Sequence, residues 1–327
     1  MRGGFNQRGQ TNRMNPVFDK SIPFSPWQLG APLYMPAHRL DLRDIANGEK
    51  LPFLRSMIFC TEDAVRKYEV ESCIRHLGLC MQGFRDTPQR FRFIRARNPE
   101  ILKRLLDLPG IDCIDGFVLP KFTLDSFNAW FDSLRGTGFK IMPTLETREV
   151  FDAQAMKELR QALQQDGIAE CILMLRIGGN DLMNLLGIRR PRQMTLYQTP
   201  LGHAIAQLVT QFKPYGFSLS APVFEYLDDP DTLQQEIRQD LAYGLIGKTA
   251  IHPGQVAEIE DAYRVDRSDY EMALTLKDSA APAVFKMHDA MCEVATHGQW
   301  SEGIIERYAC YGLRDRVLLT DYKEVTI

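Results

Sequence analysis

Two acidic side chains, Glu146 and Asp181, stand near the ends of apolar segments. Glu146 directly follows K-I-M-P-T-L, and Asp181 follows C-I-L-M-L-R-I after three further residues. If both segments are strands of a parallel barrel, their carboxyl ends open on one face, and the two carboxylates could share one divalent cation. Hard cations such as Mg²⁺ take oxygen ligands, few of them from the protein, and leave positions for substrate and water. The pair therefore indicates a magnesium site suited to an enolate; the alternative is a buried acid paired with an arginine.

Two arginines lie in another predicted strand. Arg95 and Arg97 are two residues apart, so their side chains share one face. An arginine that points into a barrel is costly unless it meets an anion, and its planar fork suits a carboxylate. Arg95 is therefore predicted to bind a substrate carboxylate. The alternative is a structural ion pair with Glu62, Asp63 or an acid of the metal site.

The remaining candidates stand at the ends of two further predicted strands. The pair Gly178 and Gly179 allows close approach of the backbone and offers N–H groups to an anion. The same segment also suits a simple strand-to-helix turn, with Asn180 or Asp181 as the helix cap. Lys121 could form a Schiff base or neutralise an acid at the barrel mouth, and the second interpretation is favoured. The sequence contains neither a phosphate-binding P-loop motif nor a G-x-S-x-G motif.

Short apolar segments alternate with amphipathic ones along most of the chain. The predicted strands lie at 32–36, 56–60, 91–96, 114–119, 139–145, 171–177, 217–224 and 247–251. Their nearly continuous apolar character is typical of parallel strands covered on both faces. Amphipathic helices are predicted at 61–81, 125–134, 152–163, 200–212, 230–243 and 253–263. The fold class is therefore α/β, a (β/α)₈ TIM barrel over 31–264. A doubly wound open sheet is the structural alternative.

The two ends of the chain differ in composition from the barrel. Residues 1–30 are predicted to be a disordered N-terminal arm, because the first part is rich in Arg, Gly, Asn and Gln. Its Arg-Gly pairs suggest RNA contact, but a solvated tail is favoured. Residues 265–327 are predicted to be a C-terminal helical extension, either a cap or an arm exchanged between subunits. A plain packing pair of helices is the alternative.

Bulk composition excludes several classes of protein. The 327 residues carry a formal net charge of −3, which does not favour nucleic acid as a partner. No apolar run is long enough to span a membrane. The seven cysteines have no framework spacing, which predicts reduced thiols and a cytoplasmic location.

Seven motifs, taken in order, resemble the HpcH/HpaI aldolase and citrate lyase β-subunit family. They are L-Y-M-P-A-H-R at 33–39, I-F-C-T-E-D-A-V at 58–65, F-I-R at 93–95, D-G-F-V-L-P-K at 115–121, L-E-T at 145–147, G-G-N-D-L at 178–182 and G-K-T-A-I-H-P-G-Q at 247–255. The resemblance covers most of 32–264.

The resemblance implies a site and a reaction. It implies a TIM barrel in which Glu146 and Asp181 hold Mg²⁺, with Mn²⁺ as a substitute, and in which Arg95 grips the carboxylate of a 2-oxo acid or its enolate. Arg39, in the first motif, is predicted to bind substrate together with Arg95 and the glycines at 178 and 179. The family forms or breaks C–C bonds, often with acyl-CoA partners, and assembles as trimers or hexamers.

The resulting hypothesis is a Mg²⁺-dependent C–C lyase or aldolase that acts on a 2-oxo acid or a hydroxyacyl substrate, which a CoA thioester would satisfy. Glu62 and Asp63 are predicted to assist catalysis by holding water at the metal or by orienting Arg95. Cys60, Asn180 and Pro222 depart from the family pattern, and this divergence is similar to C–C lyase-like proteins of tellurite-resistance and stress gene clusters. The alternatives are a catalytically reduced barrel that binds metabolites or acts as a scaffold, and an RNA-associated protein.

Overall fold

Parallel strands, taken in chain order, form the central sheet. The computed structural model describes residues 25–87, 90–165 and 167–314. Within them the sheet consists of β1 (Leu33–Pro36), β2 (Ser56–Cys60), β3 (Phe91–Arg95), β4 (Gly116–Leu119), β5 (Lys140–Leu145), β6 (Leu175–Ile177) and β7 (Leu219–Ser220). Each strand pairs in parallel with the next, in the order β1 to β7. Sequential parallel pairing is the topology of a barrel, and it excludes the doubly wound sheet.

The eighth predicted strand closes the ring without forming a regular strand in the described part of the chain. Residues 247–251 make two isolated parallel bridges, Ala221 with Lys248 on the β7 side and Leu33 with Ala250 on the β1 side. The segment is short because Gly247 before it is left-handed, with φ of 80°, and Pro253 after it has no N–H to donate. The predicted TIM barrel is thus confirmed, with an irregular eighth segment.

Helices connect the strands on the outside of the ring. They are α1 (Leu42–Ala46), α2 (Val70–Met81), α3 (Pro99–Leu106), α4 (Phe127–Leu134), α5 (Ala153–Leu163), α6 (Gly179–Leu185), α7 (Leu201–Phe212), α8 (Pro230–Ala242) and α9 (Pro253–Ala262). Local sequence explains several starts: Asn98 caps α3, with Pro99 in its first turn, and Asp152 caps α5. The helix predicted over 61–81 begins at Val70, so the residues before it form a loop at the mouth of the barrel.

The strands separate two cores. Their outward side chains pack under the helices, whereas Ile58, Phe93, Val118 and Met142 belong to a small inner cluster. Further along the same strands the inward positions become polar, with Arg95 two residues after Phe93. The barrel therefore has an apolar floor and a polar carboxyl end.

Residues after α9 pack at the amino-terminal end of the barrel, opposite its polar carboxyl end. They form α10 (Arg267–Lys277), the antiparallel hairpin β8 (Val284–Met287) with β9 (Ala290–Glu293), and α11 (Val294–Tyr311). The Tyr311 hydroxyl donates to the Trp27 carbonyl at 2.8 Å, and Arg55 Nη1 donates to the Cys310 carbonyl at 2.8 Å. Because Trp27 and Arg55 precede β1 and β2, the end of α11 lies at the amino-terminal side of the ring.

The described residues include only part of the predicted N-terminal arm and of the predicted C-terminal extension. Residues 1–24 and 315–327 of the predicted arm and extension lie outside the described residues. The prediction of disorder is wrong for 25–30, because Pro26–Leu29 form a 3₁₀ turn with Trp27 and Leu29 buried. The hairpin was not predicted in the helical extension. The domain boundary at 264 and the cap or exchanged arm remain predictions. No helix among the described residues is long and apolar enough to cross a membrane.

Candidate active site

One guanidinium group gathers three acidic side chains at the carboxyl end of the barrel. Arg95 Nη2 lies 2.8 Å from Glu62 Oε2, 3.2 Å from Glu146 Oε1 and 3.4 Å from Asp63 Oδ2. Arg95 is the last residue of β3 and points inward, because it lies on the same face as the inner-core residue Phe93. The structure thus brings together four of the residues that the sequence selected.

The loop after β2 is held in place by backbone contacts. Arg97 Nη1 donates to the carbonyls of Glu62 and Val65 at 3.2 and 3.1 Å, and the Thr61 hydroxyl donates to the Arg95 carbonyl at 2.8 Å. Arg97 therefore supports the loop from behind. These bonds fix Glu62, which is buried, beside the Arg95 guanidinium.

Glu146 is the most buried acid of the cluster. Its side chain follows β5, is 4% exposed, and accepts a hydrogen bond from the Lys121 backbone N–H at 2.8 Å. Burial raises the pKa of Glu146 to about 7; Arg95 opposes this rise, and the negative charge of Asp181 adds to it. Asp181 faces the same space, because its Oδ1 lies 3.8 Å from the Lys121 ammonium that also contacts Glu62.

Lys121 supplies the second cation of the cluster. Its ammonium lies 2.7 Å from Glu62 Oε1 and 3.8 Å from both Asp63 Oδ2 and Asp181 Oδ1. Burial lowers the pKa of Lys121, but the hydrogen bond that its ammonium donates to Glu62 and the nearby carboxylates outweigh this effect, so the pKa is raised. A lysine held as an ammonium is a poor nucleophile, which favours the neutralising role over a Schiff base.

Lys121 also has an unusual backbone conformation, with φ of 48°. A lysine rarely adopts this left-handed region, and strain of this kind concentrates at functional sites. The conformation lets one residue address two acids, since its N–H reaches Glu146 and its ammonium reaches Glu62. The position of Lys121 after D-G-F-V-L-P already favours a cation that neutralises an acid at the barrel mouth.

The cluster fits a hard divalent cation. Four carboxylates, those of residues 62, 63, 146 and 181, contact two cationic side chains, Arg95 and Lys121, which leaves two formal negative charges. The acidic donors are all carboxylate oxygens, the ligand type that Mg²⁺ prefers. Among the described residues no three His, Cys, Asp or Glu side chains form a ready ligand set.

Comparison with known proteins identifies the family. The family model described as C–C bond lyase of the TIM-barrel fold matches residues 23–313. The chain belongs to this C–C bond lyase family. It is related to citrate lyase β subunits, and the resemblance seen in the sequence is confirmed.

Relatives of this chain include a curated protein and several solved structures. The citrate lyase subunit beta-like protein of Deinococcus radiodurans is 32% identical over 88 residues, which span 27% of this chain and 31% of that protein. The match thus covers less than a third of the relative's length.

The structural relatives share the fold. CitE of Mycobacterium tuberculosis, solved with magnesium, acetoacetate and coenzyme A, has a TM-score of 0.62 at 18% identity, covering 85% of this chain and 97% of that one. A citrate lyase of Burkholderia xenovorans LB400 has a TM-score of 0.67 at 16% identity, covering 89% and 95%. Malate synthase of Haloferax volcanii has a TM-score of 0.57 at 14% identity, covering 71% and 72%.

Two details of the predicted glycine turn differ in the structure. The Gly178 N–H donates to the Leu145 carbonyl at 3.1 Å, so it belongs to the sheet and is not offered to an anion. A Cβ on Gly178 would lie 2.2 Å from Glu146 Oε2, so this glycine makes room for the buried acid. Helix α6 begins at Gly179, which places Asp181 in its first turn rather than at the predicted cap.

Arg39 is not brought into the cluster. Its guanidinium pairs with Asp41 through contacts of 2.9 and 3.0 Å. Both side chains follow β1, and the described contacts of Arg39 include none with the four site acids. Substrate binding by Arg39 remains a prediction.

Three residues at the carboxyl end of the barrel, Cys60, Asn180 and Pro222, depart from the family pattern and provide no acidic or reactive group. Cys60 is buried, and burial raises the pKa of its thiol, which makes it unreactive. Pro222 lies against Gly179, where an added Cβ would be 2.7 Å from the proline ring. Asn180 is exposed at the start of α6. None of the three supplies an acid to the cluster.

A separate cavity of about 300 Å³ lies at the amino-terminal end of the barrel. Its lining carries no charged side chain and consists of Pro26, Gln164, Ala169, Ile172, Leu173, Tyr215, Gly216, Phe217 and Ser218. The lining residues precede β6 and β7 or lie beside them, away from the carboxyl ends. The acidic cluster therefore remains the candidate active site.

Proposed function

We propose that the chain cleaves or forms a C–C bond beside a 2-oxo acid, with Mg²⁺ held by Glu146 and Asp181. The observation that carries the proposal is the convergence of four carboxylates on Arg95 and Lys121 with two negative charges in excess. Membership of the C–C bond lyase family supports it, as does the magnesium in the structure of CitE from M. tuberculosis. When bound, the cation supplies Lewis-acid stabilisation of charge that develops on the keto oxygen.

The side chains of the cluster have separate roles in this proposal. Arg95 binds the substrate carboxylate through the guanidinium edge that its acidic partners leave free. Glu62 and Asp63 fix the orientation of Arg95, and Lys121 fixes Glu62. In the cleavage of a 4-hydroxy-2-oxo acid, the C3–C4 bond breaks, its electron pair passes to the 2-oxo fragment as an enolate, and the C4 hydroxyl becomes a carbonyl. In malyl-CoA or citramalyl-CoA the pair passes to the thioester fragment instead, and the carbon that bears the hydroxyl becomes the 2-oxo group. In both cases the hydroxyl proton ends on the carbon that received the electron pair.

The test is turnover together with cation binding. Purified protein with Mg²⁺ is assayed on oxaloacetate, malyl-CoA and citramalyl-CoA, and Mn²⁺ binding is measured in parallel. Glu146→Gln and Arg95→Gln are each expected to lower the rate about 10²- to 10³-fold, because each removes one stabiliser of developing charge. Asp228→Asn is the matched control, since Asp228 forms an exposed pair with Arg192. Equal rates for Glu146→Gln and the control would refute the proposal.

A second candidate function is a metabolite-binding or scaffold subunit. The observation that favours it is the loss of acidic or reactive groups at Cys60, Asn180 and Pro222. Cation binding without turnover on any 2-oxo or hydroxyacyl substrate would select this function. The use of a CoA thioester, homo-oligomeric assembly and a cytoplasmic location remain predictions, and light scattering of the purified protein tests the second.

A further inference from the structure

One arginine inside the barrel lacks a counter-charge. Arg176 is the central residue of β6 and is 5% exposed. Its Nη2 donates to the Thr249 hydroxyl, and its Nη1 lies 4.0 Å from the sulfur of Met142. No carboxylate of the described residues lies within ion-pair distance. A guanidinium has five N–H donors, so most of the hydrogen-bonding capacity of this side chain is unused.

Two other buried arginines, Arg190 and Arg92, are better compensated, whereas the buried Arg160 contacts Gln164 and the ring of Tyr215. Arg190 contacts the carboxylates of Glu225 and Glu236. Arg92 donates to three backbone carbonyls and to the Thr87 hydroxyl. Burying a charge without such partners is costly, and a protein retains such a residue where an anion binds.

Unused polar atoms surround Arg176. Thr144 of β5 and Ser220 of β7 are its partners in the register of the two neighbouring strands, so the three side chains point to the same inner face. Thr144 Oγ1 and Ser220 Oγ are buried and have no hydrogen-bond partner. Buried polar atoms are nearly always satisfied, so two of them beside an uncompensated arginine indicate a missing ligand.

This polar group adjoins the candidate active site. The ring of Tyr34 lies 5.7 Å from the guanidinium carbon of Arg95 and 5.4 Å from that of Arg176. Glu146 follows Thr144 by two residues and so lies on the same inner face. A single small molecule with an anionic group at each end can therefore meet Arg95 and Arg176 together.

We propose that Arg176 and the hydroxyls of Thr144, Ser220 and Thr249 bind a second carboxylate of the substrate, which makes the substrate a short 2-oxo dicarboxylic acid. The inference rests on the proposed function, because it assigns the far end of the same substrate. A carboxylate accepts from all of these donors, and it supplies the charge that Arg176 lacks. A neutral or apolar tail would leave both the charge and the hydroxyls unsatisfied.

The test compares acids of matched chain length. Calorimetry in the presence of Mg²⁺ measures the binding of oxaloacetate, 2-oxoglutarate and 2-oxoadipate against 2-oxobutyrate, 2-oxopentanoate and 2-oxohexanoate. At least one dicarboxylate is expected to bind about 10- to 100-fold more tightly than its monocarboxylate, the usual worth of a charged hydrogen bond. In Arg176→Met this ratio is expected to fall to about one. The isosteric Thr144→Val is expected to lower the ratio by a smaller factor.

A second measurement guards against a variant that fails to fold. Removing an uncompensated buried charge is expected to leave the thermal midpoint of the ligand-free Arg176→Met protein equal to or above that of the wild type, while the dicarboxylate no longer raises the midpoint. A lower ligand-free midpoint would assign Arg176 to the fold and overturn the inference.

The outcomes separate this inference from the proposed function. Binding of monocarboxylates with no preference for any dicarboxylate overturns the role of Arg176 and leaves the proposed function standing. A preference that survives in Arg176→Met has the same meaning. Failure of both classes to bind overturns both proposals.

Discussion

A buried glutamate can hold either a proton or a metal ion, and Glu146 is poised between the two. Its pKa of about 7 follows from burial and from the charge of Asp181, with Arg95 as the opposing influence. A divalent cation beside these carboxylates would displace the proton, so binding of the cation and ionisation of Glu146 are linked.

This linkage gives a prediction for pH. Below pH 7 a proton competes for Glu146, so Mn²⁺ affinity should rise about tenfold per unit as pH increases toward 7, then level off. In the cation-free protein the sign is opposite. The raised pKa favours the protonated folded state, so this group makes the fold less stable as pH rises from about 4.5 to about 7. Calorimetry and urea unfolding across pH 5–9 measure both effects, and Glu146→Gln should show neither.

Lys121 has an effect on cation binding that differs from its effect on rate. Its ammonium lies among the carboxylates of Glu62, Asp63 and Asp181, where it repels a second cation. Lys121→Met should therefore tighten Mn²⁺ binding by about tenfold, as expected for one unit charge removed at short range. Turnover should fall, because Glu62 loses the contact that fixes it. Lys286→Met, which removes an exposed pair with Asp289, is the control. Weaker Mn²⁺ binding in Lys121→Met would contradict this account.

At the scale of elements, the junction of β6 and α6 requires a residue without a side chain at Gly178. Gly178→Ala would place a Cβ 2.2 Å from Glu146 Oε2 and 2.4 Å from Glu146 Cβ. Either the strand end or the acid must move, so we expect a loss of about 1–3 kcal/mol in unfolding free energy together with weaker cation binding. Chemical denaturation and Mn²⁺ titration measure the two.

The matched control for this substitution lies in α11. A Cβ on Gly298 meets nothing within 4 Å, so Gly298→Ala should stabilise that helix by up to about 1 kcal/mol and leave the site unaffected. A Gly178→Ala protein that behaves like Gly298→Ala would show that the close approach to Glu146 is unimportant.

The sequence predicted those elements whose pattern is unambiguous. The segment 56–60 matches β2 because it is a continuous apolar run between polar residues. The segment 61–69 was assigned to a helix because Val65 and Tyr68 fit a helical face, although the loop is fixed by bonds to Arg97 that no pattern reveals. The hairpin of β8 and β9 was missed because its strands are short and its turn is His288–Asp289 rather than Asn-Gly.

The candidate site could be predicted to a similar extent. Strand-end position and residue type selected Arg95, Glu62 and Glu146, because parallel strands bring their carboxyl ends together. The strand-end position of Lys121 also predicts a neutralising cation, but not the left-handed backbone that brings its N–H to Glu146. Arg176 required knowledge of which strand face points inward. A run that is apolar on both faces, as in C-I-L-M-L-R-I, does not carry that information.

At the scale of the whole molecule, buried ion pairs help to attach the eighth segment of the ring, where regular strand pairing is replaced by two isolated bridges. Lys248, in the irregular eighth segment, is fully buried and lies 2.8 Å from Glu236 Oε1 and 3.0 Å from Asp240 Oδ2 of α8. The segment has two backbone bridges to its neighbours, so these side-chain contacts supply much of its attachment.

Lys248→Met therefore tests the closure. The substitution leaves two buried carboxylates without their shared cation, and we expect a loss of about 3–5 kcal/mol in unfolding free energy. Hydrogen exchange should rise first at the amides of Tyr34 and Ala221, which bond across the seam. The exposed Lys286→Met should cost less than about 1 kcal/mol. Similar costs for the two variants would mean that the ion pairs do not secure the ring.

The same attachment decides which parts of this barrel can be exchanged between relatives. Consider a chimera that takes α8 from one relative and residues 247–251 from another. Where the two parents differ at these positions, the chimera would bury the acids of α8 without the lysine, or the lysine without the acids. Helix α8 and residues 247–251 should therefore come from the same parent sequence, although a loop separates them. Recombination in this lineage, natural or in the laboratory, should succeed when its crossover points fall outside 190–251, because the buried Arg190 also pairs with Glu236.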